Sequence, residues 1–277
     1  MAAQSLPERL LRRENTVILL ALAAAVAVCA GYLVTGGGTG MSTLGMTRAT
    51  GPGGALLAGV DGLAMPMPWT PATAAVIFTM WWLMMVAMMV PGAAPAVLLY
   101  AALTRGATGR ASWNTILFLA GYLLAWAGFS LAATLLQWLM TTRGALSPMY
   151  MTLTSGVAGG FVLILAGLYQ LTPLKLMCLE ACRGPVQSLL SQWRPGAAGA
   201  LRAGMHLGIN CLGCCWVLML LLFVGGVMNL YWIIGLAFYV GVEKLAQPEP
   251  RLAKYMGGLL IVAGLAFIWR EAGAAPV

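Results

Sequence analysis

The 277-residue chain is 61% hydrophobic and only 8% charged, with a mean hydropathy of +0.89, against ~25% charged residues in an ordinary soluble domain. This excludes a soluble globular domain and reads as an integral membrane protein. The net charge of +8 needs no nucleic-acid partner, because basic residues beside a bilayer face anionic lipid.

A helix that crosses the ~30 Å hydrocarbon core needs ~20 mostly apolar residues, whereas spanning strands would alternate polar and apolar over ~10 residues, a pattern absent here. The predicted fold is all-α, a polytopic transmembrane helical bundle of about seven spans with a cytoplasmic N-terminus. Residues 1–15 form that terminus and carry Arg9, Arg12 and Arg13. Residues 16–34 form the first span. Its apolar run exceeds the ~7–15 residues of a signal-peptide core and no A-x-A-like site closes it, so it is read as retained.

Residues 35–69 make an outer connection with ten glycines and Met41, Met46, Met65 and Met67, a composition that predicts a flexible, poorly packed segment. Its Met65-Pro-Met67-Pro-Trp69 run is a candidate outer docking point for a metal. The next spans cover about residues 72–103, with Pro91 and Pro95 inside, then 113–140 and 152–172. A cytoplasmic connection, 173–206, precedes a span at 207–227, a short one at 230–242 with a polar extension to 245, and a last one at 255–269. Residues 70–250 are thus a membrane core, and 251–277 a last helix with its tail. No internal repeat supports an inverted-repeat transporter.

Charge placement sets the orientation. With the N-terminus inside, the cytoplasmic segments hold twelve basic residues: Arg9, Arg12, Arg13, Arg105, Arg110, Lys175, Arg183, Arg194, Arg202, Lys244, Arg251 and Lys254. Three, Arg48, Arg143 and Arg270, fall outside. This positive-inside bias predicts an odd number of spans and an outer C-terminus.

Five of the six cysteines fall in two clusters, Cys178-x-x-x-Cys182 and Cys211-x-x-Cys214-Cys215. At about 100° per residue, Cys178 and Cys182 share one helical face, about 40° apart. Cys214 and Cys215 lie about 60° and about 40° to either side of Cys211, so all three fit one sector. Both groups sit near the cytoplasmic ends of their segments, which predicts similar depth and a convergent site. Thiols stay reduced in a cytoplasm, and thiolates suit Cu(I), Zn(II) or iron–sulfur centres. The spacing matches no standard structural zinc site. Isolated Cys29 reads as packing.

His206, the chain's only histidine, would sit about 140° from Cys211 and about 80° from Cys214 if the helix already runs there. A bend at Gly204 or Gly208 would bring it round, so it joins the candidate ligands. Asn210 could hydrogen-bond a thiolate. Met80, Met84 and Met88 form one helical stripe, with Met85 and Met89 on another side. Such sulfurs suit a Cu(I) path, but methionine on both faces is what core filling produces, and packing is the preferred reading. Glu180 points away from the two cysteines that flank it. Glu243 and Lys244 read as a helix end reaching water, with Glu243 as a candidate acid beside the site. No Ser-His-Asp set or phosphate loop supports a hydrolase, and no catalytic residue is assigned.

The blocks Trp82-Leu-Met-Met-Val-Ala-Met-Met-Val-Pro91, Gly167-Leu-Tyr-Gln-Leu-Thr-Pro-Leu-Lys175 through Cys178-Leu-Glu-Ala-Cys182-Arg183, and Gly208-Ile-Asn-Cys211-Leu-Gly-Cys214-Cys215-Trp216 resemble a bacterial domain-of-unknown-function family of predicted metal-binding integral membrane proteins. Gly226-Val-Met228-Asn229-Leu-Tyr-Trp232 and Glu243-Lys244 extend the resemblance, which covers roughly residues 70 to 250. It implies a membrane location and metal binding, with no reaction attached.

The expected function is that of a multi-pass protein of the bacterial inner membrane. Cys178, Cys182, Cys211, Cys214, Cys215 and His206 would hold a soft metal, copper ahead of zinc or iron, for handling, delivery or support of a membrane metalloprotein complex. Expected partners are the lipid bilayer and a membrane metalloprotein or a second copy of the chain. The alternatives are a membrane thiol-disulfide oxidoreductase and a non-catalytic subunit of a larger membrane complex.

Overall fold

A computed structural model of the chain describes residues 6–38, 42–54, 68–108, 111–147, 150–184, 194–245 and 251–274. Among these the regular structure is helical, and the β pairing is a single isolated bridge between Leu146 and Leu153. The helices in chain order are α1 (Leu6–Val34), α2 (Thr43–Thr50), α3 (Pro71–Thr108), α4 (Ala111–Thr142), α5 (Gly156–Gln170), α6 (Pro173–Arg183), α7 (Ala197–Leu220), α8 (Leu222–Gly225), α9 (Leu230–Leu245) and α10 (Arg251–Ala274).

Among the described residues, five stretches are long and apolar enough to cross a membrane: Glu14–Val34, Pro71–Thr104, Trp113–Thr142, Ala197–Gly225 and Leu252–Gly273. The pair α5 and α6, bent by 64° at its break, makes a sixth if it forms one span. The seven expected spans also include α9, whose 16 residues give about 24 Å of helix, short of the ~30 Å core. Large apolar side chains such as Leu131, Phe161, Phe238, Leu259 and Val262 are exposed around the bundle. In water they would form a costly apolar surface; in lipid they are at home.

Helix α3 is the central post. Pro91 and Pro95 lie inside it without ending it, as packed membrane helices tolerate. Met80, Trp81, Met84, Met85 and Met89 are almost wholly buried along it. Trp81 Nε1 donates to Gln137 Oε1 of α4 at 2.7 Å, which satisfies two polar groups inside an apolar core. Helices α4 and α7 pack tightly, and Gly204 shows why. A Cβ placed there would lie 1.8 Å from the Phe118 carbonyl oxygen, so the bare glycine lets the backbones touch.

Three expectations change here. The connection at 173–206 is helical at both described ends, as α6 and as the first residues of α7. Arg202 and His206 masked that extension in the sequence, because they interrupt the apolar run without interrupting the helix. The start of α6 follows local rules: Thr172 caps it by accepting from the Lys175 N–H, with Pro173 at the first turn.

The connection at 35–69 is also, over its described residues 42–54, more ordered than its glycines suggest. Ser42 caps α2, and Thr43, Met46, Thr47 and Thr50 are buried. Asn229 Nδ2 donates to Thr50 Oγ1 at 3.0 Å and to the Gly51 carbonyl at 2.9 Å, while the Leu230 N–H bonds Thr47 Oγ1 at 3.0 Å. These long-range partners replace the apolar burial that local composition lacks. Met41, Met65 and Met67 lie outside the described residues, and the outer docking run with them.

The third correction concerns the end of α9. Glu243 and Lys244 do not reach water. They are 2% and 8% exposed and face the neighbouring helices. Two charges so placed need partners inside the protein.

Candidate functional site

The sulfurs converge where α6, α7 and the last turn of α9 meet. Cys211, Cys214 and Cys215 are buried on α7, while Cys178 and Cys182 of α6 are half-buried. All five are free thiols, as is buried Cys29 in α1. The helical angles explain the α7 trio: Cys214 and Cys215 both turn their sulfurs back to the Cys211 carbonyl, at 3.1 and 2.9 Å. Cys182 of α6 lines the same cavity as Cys211. Cys178 lies over Gly213, where an added Cβ would come within 2.6 Å of its sulfur. The Tyr169 hydroxyl bonds the Gly213 carbonyl and supports the same contact.

Cys211 is the hub. Its Sγ lies 2.8 Å from Lys244 Nζ and 3.1 Å from the Tyr122 hydroxyl. The Tyr122 hydroxyl also reaches the Met89 carbonyl at 3.2 Å, and Lys244 Nζ lies 3.8 Å from Met89 Sδ. A cavity at this point is lined by Gly92, Ala96, Tyr122, Cys182, Cys211 and Lys244, among others. Five helices therefore contribute: α3, α4, α6, α7 and α9.

Beside the sulfurs stands a buried ionic cluster. Lys175 Nζ and Glu243 Oε1 form a salt bridge of 2.6 Å, both nearly inaccessible. The Tyr239 hydroxyl donates to the same carboxylate oxygen at 2.5 Å and accepts from Gln170 Nε2 at 3.0 Å. Lys175 Nζ also bonds Gln170 Oε1. Arg183 Nε caps the Glu243 carbonyl at 2.8 Å. Glu243 thus grips α6 while Lys244 grips α7, and one dipeptide ties together the two elements that carry the cysteines.

His206 lies within the continuous helix α7, so its large angular offset from Cys211 applies. It is half-buried, and its Nδ1 pairs with Asn210 Nδ2 at 3.3 Å. Asn210 therefore serves His206 in the described hydrogen bonds rather than a sulfur. Glu180 is exposed, as its angle predicts. Sequence reasoning missed Tyr122 beside Cys211 and Met89 beside Lys244, since each arrives from a distant segment, and it missed Lys175, on α6 with Cys178, as the partner of Glu243. The available signals were a lysine two residues past a helix-starting proline and a Glu-Lys pair closing an apolar helix.

Among the described residues, no three His, Cys, Asp or Glu side chains already have the arrangement of a metal site. The thiols are turned towards one another, towards the Cys211 carbonyl and towards Lys244 Nζ. The donor chemistry nevertheless fits a soft monovalent ion, for which thiolate and thioether are suited ligands.

A multi-pass bundle with soft sulfur donors gathered inside it fits the class of membrane metal-handling proteins. The chain belongs to the PpoB2 family, described as a copper chaperone, whose sequence model matches residues 78–267. That match contains all five clustered cysteines, Lys175, Glu243 and Lys244, and it fits the metal-binding resemblance seen over much the same stretch. No curated protein matches the chain. No solved structure matches it either.

Proposed function

We propose that the chain receives Cu(I) at the sulfur cluster of Cys182, Cys211, Cys214 and Cys215, with Cys178 at its edge, and passes it to a metalloprotein in the same membrane. The observation that carries this is the meeting of α6 and α7 thiols: Cys182 and Cys211 share one cavity and Cys178 lies over Gly213, inside a chain of a copper chaperone family. Copper is here a cargo. Sulfur donors on two separately anchored helices can close on an ion and open again, which delivery requires and a permanent structural site does not. The basic bias of the segments around the cluster supports a position on the cytoplasmic side of a bacterial inner membrane. His206 remains a candidate for the approach to the site rather than for its centre.

The test is copper content of the chain purified from membranes after growth in copper, compared with Cys211→Ser, Cys214→Ser and Cys215→Ser combined. Stoichiometric copper that the variant lacks supports the proposal. Equal copper in both removes it.

A second reading, a thiol-disulfide oxidoreductase, draws on one specific contact. Cys182 on α6 and Cys211 on α7 line one small cavity, which a disulfide could bridge with an adjustment of the two side chains. Mild oxidation that yields a reversible α6–α7 crosslink in a chain devoid of copper favours this reading over the first.

A further inference from the structure

We propose that Lys244 and Cu(I) compete for one place, and that Met89 becomes a ligand beside Cys211 when copper wins it. This rests on the reading of the sulfur cluster as a copper site. It adds a thioether donor and a built-in competitor, neither of which the cysteine pattern implies.

The geometry is specific. Lys244 Nζ, carried by α9, lies 2.8 Å from Cys211 Sγ on α7 and 3.8 Å from Met89 Sδ on α3. One cation therefore touches two soft donors from two different helices. Metal–sulfur bonds are shorter, about 2.3 Å for zinc, so an ion at that point needs only a modest closing of a flexible thioether to bind both. The carboxylate next to Lys244 in the chain, Glu243, is held by Lys175 and Tyr239. The described partners of the Lys244 ammonium are thus sulfur atoms, an unusual setting for a group that prefers oxygen acceptors.

The exit is also present. The lysine stem runs past Gly92, where an added Cβ would lie 3.3 Å from Lys244 Cδ. The ammonium borders a cavity shared with Cys182 and Cys211. Lys244 is the penultimate residue of α9, so a flexible four-carbon stem can swing its head towards the end of the helix without moving the backbone. An ammonium and Cu(I) each carry one positive charge. Exchanging one for the other keeps the charge beside Cys211 constant, whereas a divalent ion adds a charge in a medium where charge is costly. The competitor thereby favours Cu(I) over Zn(II) and keeps retention weak enough for release.

The exchange balances without redox chemistry. Cys211 enters as the thiolate paired with the Lys244 ammonium, and a small thiol carrying Cu(I) supplies the metal: its copper–sulfur bond breaks, a bond to Cys211 sulfur forms, and the donor is released as its thiolate. Lys244 leaves with its proton. Where Cys182 joins the copper, its proton passes to the released donor thiolate, and no electron changes hands.

The experiment uses the full chain in detergent, loaded from a Cu(I)–glutathione complex and titrated with a colorimetric Cu(I) chelator. Native chain, Lys244→Met, Lys244→Gln, Lys244→Arg, Met89→Leu and Cys211→Ser are compared, each checked for a monodisperse fold. Loss of a charged contact at sulfur corresponds to roughly ten- to hundred-fold, so Lys244→Met and Lys244→Gln should hold copper more tightly by that factor, and Lys244→Arg no more tightly than the native chain. Met89→Leu should weaken retention and remove one sulfur neighbour of copper in X-ray absorption, a signature that a packing role alone would not change. Neutral Lys244 variants that bind copper as the native chain does or more weakly, or an unchanged sulfur count in Met89→Leu, overturn the proposal. If Cys211→Ser still loses copper in that event, the copper reading survives; if Cys211→Ser keeps it, both fall.

Discussion

Glu243 and Lys244 illustrate what a single residue's surroundings decide. Their position after an apolar run reads as a helix end in water, yet both are buried and each grips a different cysteine-bearing helix. Nothing local to α9 announces this, because their partners Lys175 and Cys211 lie 68 and 33 residues away in the chain. A buried pair broken on one side leaves an uncompensated charge, which costs about 3–5 kcal/mol. Glu243→Ala should therefore lower thermal stability in detergent by about that amount, while Glu243→Leu combined with Lys175→Met should recover most of it. A single variant as stable as the native chain would mean that water reaches the pair. Tyr122→Phe is milder. It removes a hydroxyl that touches both Cys211 and the Met89 carbonyl, and about 1 kcal/mol of stability should be lost.

At the scale of the elements, the long apolar helices were legible because length and composition alone define a candidate span. What escaped the sequence was either helical without being apolar or packed without being apolar. The start of α7 carries Arg202 and His206 but keeps its helix because Gly204 meets the Phe118 backbone. Helix α2 is threonine-rich and lies in a glycine-rich connection but is pinned by Asn229. Gly204→Val should force α4 and α7 apart and cost about 1–3 kcal/mol or more, read as a lower unfolding temperature together with faster alkylation of Cys211. The cysteine angles on α6 and α7 were legible, since helix geometry fixes them. That the two faces meet followed only as an expectation from their similar depth, since no local pattern announces the 64° bend between α5 and α6. A crosslink between α6 and α7 after mild oxidation of the copper-free chain, lost in Cys182→Ser, would instead favour the thiol-disulfide reading. Mass spectrometry of the digested protein checks the pairing.

For the whole molecule, composition defined the class, while topology depends on how the shorter helices are used. Among the described residues five stretches are long enough to cross, the bent pair adds one if it forms a single span, and α9 falls short by length alone. The charge bias of twelve basic residues to three argues for opposite locations of the two termini. Reporter fusions test this directly: an alkaline phosphatase at the C-terminus should be active and one after residue 15 inactive, whereas matching activities would require an even number of crossings. The central claim concerns the place where the described helices bring sulfur together. The most direct measurement is copper per chain in the purified native protein and in the Cys211→Ser, Cys214→Ser, Cys215→Ser variant. Stoichiometric copper in the first and none in the second is the predicted result; copper retained equally by both would contradict it.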